Sequence, residues 1–230
     1  MALREGVATY LETELTEETI LTIRLPGVLP SGTSDHMLTR LCQLLIQQYE
    51  TTVKLVILEF MGTQNAAGDG KYYTGTTDSV LSANRLELFH NILLDAPYFS
   101  VASVRGDVCD LSAALAIFCD WRLLAEEGSF RFTLAGEGDL RTGARLAELT
   151  GSFSALDSLI RSCAILHDDA IRLGLGQPKG SESIELICNH AKGRNKETIR
   201  IMRQAVRKPS GSDQSIARIL ASLASAKAQQ

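Results

Sequence analysis

The chain has no apolar run approaching the roughly 18 residues that a membrane-spanning helix needs. It also lacks a basic cluster, since 23 Lys and Arg stand against 27 Asp and Glu for a net charge of −4. That balance argues against nucleic acid or an anionic membrane as the main partner. Five cysteines (Cys42, Cys109, Cys119, Cys163, Cys188) form neither a CxxC pair nor a Cys/His metal spacing. Their odd number suggests reduced thiols, each a small buried hydrophobe, in a cytoplasmic protein with no metal. The opening Met1-Ala-Leu-Arg-Glu-Gly6 lacks the basic-then-apolar layout of a secretory signal. There is no Gly-x-Ser-x-Gly elbow and no convincing Ser/His/Asp order. Gly68-Asp-Gly70 and Gly136-Glu-Gly138 are too short and too acidic to cradle phosphates. The histidines fall in helical stretches (His36, His90, His190) or before two acids (His167), where surface or satisfied roles are commoner than catalysis.

What the chain does have is apolar content, 45% over 230 residues, enough for one substantial core and a small appendage. Helical and strand-like patterns alternate, which predicts a mixed α/β domain. Residues 18–26 read as a first strand ending at Pro26-Gly27. Ser34-Asp35 caps a helix with Met37, Leu38, Leu41, Leu44 and Leu45 on one face. The continuous apolar run 53–60 predicts a strand covered on both sides, and a loop rich in Gly, Thr and Asn follows it. Next come a helix over 84–94, a strand over 99–104, a helix over 111–118, and strands over 121–126 and 129–133. From Arg141 onward the pattern reads as almost wholly helical, in segments near 141–149, 154–166, 167–173, 182–192, 195–207 and 213–228. Lys208-Pro-Ser-Gly-Ser212 reads as a linker, so the expected organisation is a core over 1–207 and a linker with a terminal helix over 208–230.

Several landmarks in this order carry a family resemblance. Asn65-Ala-Ala-Gly-Asp-Gly70 follows an apolar strand. Arg105-Gly106 leads through Asp110-Leu111-Ser112 into an apolar helix closing on Cys119-Asp120. Leu124-Ala-Glu-Glu-Gly-Ser-Phe130 and His167-Asp-Asp-Ala-Ile-Arg-Leu-Gly-Leu-Gly176 come later. Together they resemble the crotonase (enoyl-CoA hydratase/isomerase) superfamily over about residues 20–207. The modified turn is similar to crotonase-like proteins of polyketide and nonribosomal-peptide pathways. The resemblance implies a spiral of short stacked ββα units with a C-terminal helical region. It also implies association as a trimer or hexamer, or with a crotonase homologue, with residues 195–206 on the contact.

Crotonases hold an acyl-thioester carbonyl between two backbone N–H groups, which stabilise the enolate of the transition state. Carried over, those donors are the amides of Asp69 and Leu111. The resemblance places Gly68, Lys71, Tyr72, Arg105 and Gly106 around the substrate. Coenzyme A or phosphopantetheine of an acyl carrier protein enters as part of that substrate, with no other cofactor. The departures concern the chemistry. The family's Gly triplet is Asp110-Leu111-Ser112 here, and its two carboxylate positions are Ala114 and Leu134. Ordinary hydration needs a general acid and a general base. Asp110 on the turn, with Glu137 and Asp139 on the Gly-rich loop, are the substitute candidates; Asp107 is a further acid on the turn. Asp120 reads as structural, paired with a backbone amide or Arg122. Two functions follow: a hydratase- or dehydratase-like lyase with atypical acid/base residues, or an inactive crotonase-fold assembly partner.

Overall fold

The structure, a computed structural model, describes residues 11–29, 34–62, 79–132, 139–161 and 163–207. It is built on a six-stranded sheet. β1 (Glu12–Thr16) and β2 (Ile20–Pro26) form an antiparallel hairpin at its edge. β3 (Leu55–Met61), β4 (Phe99–Arg105), β6 (Trp121–Leu124) and the two-residue β9 (Gln177–Pro178) continue it in parallel. Parallel neighbours require crossovers. Here α1 (Ser34–Gln47) joins β2 to β3 and α2 (Ser79–Asp95) joins β3 to β4. A second sheet lines up β5 (Asp107–Cys109), β7 (Ser129–Arg131) and β8 (Ala164–Leu166). α3 (Asp110–Phe118) links β5 to β6. The later helices are α4 (Asp139–Thr150), α5 (Ser152–Arg161), α6 (His167–Arg172), α7 (Ser181–Lys192) and α8 (Lys196–Arg207).

The large sheet buries both faces, as the continuous apolar strands predict. Leu21, Ile23, Leu25, Val56, Leu58, Phe60, Ala102 and Val104 meet Leu38, Leu41, Phe89 and Leu115 in the main core. On the opposite face Ile20, Leu55, Phe99, Val101 and Leu123 meet Ile187 and Ala191 of α7 and Ile199 of α8. That second face turns polar toward the ends of its strands. Glu59 on β3 receives Arg24 at 3.3 Å, Arg105 at 3.5 Å and Lys179 at 3.9 Å. Lys179 Nζ also donates to Ser103 Oγ at 2.6 Å, and desolvation holds its pKa below the ordinary lysine value.

Three readings are corrected by these elements. The helical segment read over 154–166 ends early, because its last residues form β8, while β9 falls between helical segments. Ala164-Ile165-Leu166 carries no local strand signal, and its extended form comes from antiparallel pairing with β7. The strand β5 was likewise hidden in what reads as a turn. Cys163 is exposed rather than buried, whereas Cys42, Cys109 and Cys119 are buried as expected. The residues 208–230 lie outside the described residues.

Burial sets the alkaline limit of the fold. Desolvation raises the Cys42 and Cys109 thiols from 9.0 to about 11 and the Tyr49 phenol from 10.0 to about 12. Each therefore contributes stability that is complete below its unfolded pKa and lost as pH rises through the folded one. Lys179 and Lys196, whose pKa values burial lowers, act in the opposite sense below 10.5. The urea midpoint should fall steadily between pH 9 and pH 11.5, the Cys42 thiol alone contributing on the order of 2 kcal/mol. A midpoint that holds constant to pH 11.5 would contradict this account.

Candidate functional site

Three chain exits converge where the large sheet hands over to the small one. Gly27 follows β2, Gly62 follows β3 and Gly106 follows β4. Gly62 N donates to Arg105 O at 2.6 Å, Gly27 N to Met61 O at 2.9 Å and Cys109 N to Gly27 O at 2.9 Å. A Cβ on Gly62 would lie 2.3 Å from both the N and the O of Asp107, and one on Gly27 would lie 2.4 Å from Asp107 O. Backbone thus packs on backbone with no room for a side chain. Gly106 turns the chain from one sheet into the other at φ +73°.

The turn delivers Asp107, Val108 and Cys109 to the small sheet and then starts α3. Asp110 opens that helix at φ +48°, a left-handed conformation that Asp tolerates better than most residues. Cys109 at the N-cap supplies no side-chain hydrogen bond. First-turn amides, Leu111 among them, lack intrahelical acceptors. The Leu111 side chain rests half-buried against the main core, and Ser112 Oγ donates to Pro26 O at 2.9 Å. A helix start without a side-chain cap from its N-cap residue, beside three tight turns, offers backbone donors and positive dipole to an oxygen ligand.

No family model matches the chain, and no curated protein matches it. Solved structures do. A Thermobifida fusca YX protein assigned by inference as an enoyl-CoA hydratase is similar at TM-score 0.73 and 20% identity, over 96% of this chain and 95% of that one. Structures of such a Thermobifida fusca YX protein with CoA and with acetoacetyl-CoA score 0.73 and 0.72. An enoyl-CoA hydratase from Bacillus anthracis scores 0.69 at 17% identity, over 92% of this chain and 89% of that one. The chain has the crotonase fold.

Within this crotonase-fold chain the nominated residues separate. Asp110, Leu111 and Gly106 share the turn and the start of α3. Arg105 is engaged by Glu59 on the face of the sheet opposite the core that α3 fills. Asp139 begins α4. Asp69, Gly68, Lys71, Tyr72, Leu134 and Glu137 lie outside the described residues. Ala114, at the first carboxylate position, is 2% exposed and sits in the main core. Asp107 is occupied by a hydrogen bond from Ser129 Oγ. A cavity of about 370 Å³ lies between α8 and the end of α1, lined by Tyr49, Lys196 and Arg200. Among the described residues it touches none of the nominated ones.

Asp120 is structural, as expected, and the backbone amide that holds it is that of Ser100. Ser100 N and Oγ donate to it at 2.8 Å, and the guanidinium of Arg203 in α8 pairs with it at 2.9 Å. Arg122 donates to the carbonyls of Leu175 and Cys119. Sequence reasoning missed Arg203 because a pairing 83 residues away leaves no local signal. Arg131 was passed over too, although Phe130-Arg131-Phe132 alternates as a strand and marks residue 131 as facing away from the core.

The left-handed start of α3 makes a stability prediction. Asp110→Val should cost about 1–3 kcal/mol, because a β-branched side chain is strained at positive φ. Asp110→Gly should cost less, because glycine accepts the left-handed conformation without strain. Urea unfolding of both variants checks the contrast, and equal stabilities would mean the conformation is not held.

Proposed function

We propose that this chain binds an acyl thioester, on coenzyme A or an acyl carrier protein, with its carbonyl at the start of α3. The observation that carries the reading is the first turn of α3, to which Cys109 gives no side-chain cap, reached through Gly106 and a left-handed Asp110. Likeness of fold to proteins solved with CoA and acetoacetyl-CoA supports it. A backbone donor needs no particular side chain, so replacing glycines by Asp110-Leu111-Ser112 leaves the N–H of Leu111 in place. Hydration or dehydration then falls to acids other than the family's pair, with Asp110 foremost and Glu137 and Asp139 following it in sequence. A place in secondary metabolism is consistent with the modified turn.

Titrating the full chain with crotonyl-CoA by calorimetry tests binding, and loss of the enoyl absorbance tests turnover. Binding in the micromolar range is expected, with turnover falling by about 10²-fold in Asp110→Asn. Unchanged turnover in that variant would remove Asp110 from the chemistry. The burial of Ala114 favours a second reading, an inactive assembly partner of a crotonase homologue. Absence of any thioester binding would decide for that one.

A further inference from the structure

Arg131 occupies an unusual position beside the start of α3. In the parallel pairing of β5 with β7 it lies in register with Cys109, the residue immediately before the helix. Register partners project from the same face of a sheet. Phe130, one residue earlier, points the other way and is fully buried in the main core. The guanidinium is therefore presented on the Cys109 side, close enough that Arg131 and Asp110 pull the Cys109 thiol in opposite directions, burial being the larger influence.

The side chain is half-buried, and its Nε is shielded from solvent with no hydrogen-bond acceptor among the described residues. The arginines of the large sheet, half-buried Arg24 and Arg122 and exposed Arg105, are provided for. Arg24 and Arg105 have Glu59, and Arg122 has two carbonyls. A desolvated guanidinium N–H left unmatched is unfavourable unless something arrives to accept it. Its planar fork matches a carboxylate better than any other common organic anion except phosphate. Its place at the helix start puts it at the acyl end of a thioester held there, not at the nucleotide end.

We propose that Arg131 is a specificity-determining residue for acyl thioesters whose acyl group ends in a carboxylate. This rests on the thioester reading above. The test compares glutaryl-CoA with valeryl-CoA, two five-carbon esters that differ in a terminal carboxylate against a methyl group. In calorimetric titration of the full chain, glutaryl-CoA should bind about tenfold tighter or better, the scale of a charge-assisted hydrogen bond. Arg131→Gln should abolish the preference while leaving valeryl-CoA binding unchanged, and Arg131→Lys should restore part of it. Equal affinity of the unmodified chain for both esters, or a preference that survives in Arg131→Gln, overturns the proposal and leaves thioester binding intact. Binding of neither ester removes the thioester reading and this proposal with it.

Discussion

Gly62→Ala is expected to leave little folded protein. The added methyl would sit 2.3 Å from Asp107 N and O and 2.6 Å from Gly106 C. All three are backbone atoms, so no side chain can swing aside to relieve the overlap. Those atoms are also tied down, since Gly62 N bonds to Arg105 O and Ser129 N bonds to Gly106 O. Overpacking a rigid site costs about 3 kcal/mol or more, a large part of the stability of a domain. The small sheet, attached through this turn, would be displaced with it. Gly180→Ala serves as the control, because its nearest neighbour would be Ser183 Oγ at 3.6 Å. Urea unfolding followed by circular dichroism should show Gly180→Ala near the parent and Gly62→Ala unfolded or far weaker. Similar midpoints for the two variants would refute the backbone contact.

Arg203→Ala should be nearly as damaging, by a different route. Arg203 is 3% exposed, pairs with Asp120 at 2.9 Å and donates to Ala96 O at 2.8 Å. Removing it strands a carboxylate whose side chain is 12% exposed. Breaking a buried pair from one side costs about 3–5 kcal/mol. The two bonds from Ser100 remain, which places the expected loss near the lower figure. Adding Asp120→Asn to Arg203→Ala should recover part of the loss, since the stranded charge is then gone. A single-variant loss below about 1 kcal/mol, or a double variant weaker than the single, would show that the pair is not the fastening of α8.

The fold was legible where pattern and packing agree. The run at 53–60 became β3, and the Met37–Leu45 stripe became α1, because an apolar period states which faces are covered. β5, β8 and β9 were not legible. With two or three residues each, they are extended only because partners in distant parts of the chain pair with them. At the candidate site, the departures at Asp110, Leu111 and Ala114 could be read directly, since the order of landmarks set their places. Their consequences could not. Asp107 is spent on Ser129, Arg105 on Glu59, and Ser112 on a strand carbonyl 86 residues away. Polar pairings of this kind depend on which turns meet in space, and a single sequence does not carry that.

The two-sided sheet also orders the life of the nascent chain. Its first face is covered by helices woven between the strands themselves, so it can close as synthesis proceeds. The other face, with Ile20, Leu55, Phe99, Val101 and Leu123, waits for Ile187, Ala191 and Ile199, more than sixty residues after Leu123. Until then an oily wall lies open to whatever else is in solution. Folding is therefore a race between the ribosome and aggregation, decided when α7 and α8 have been made.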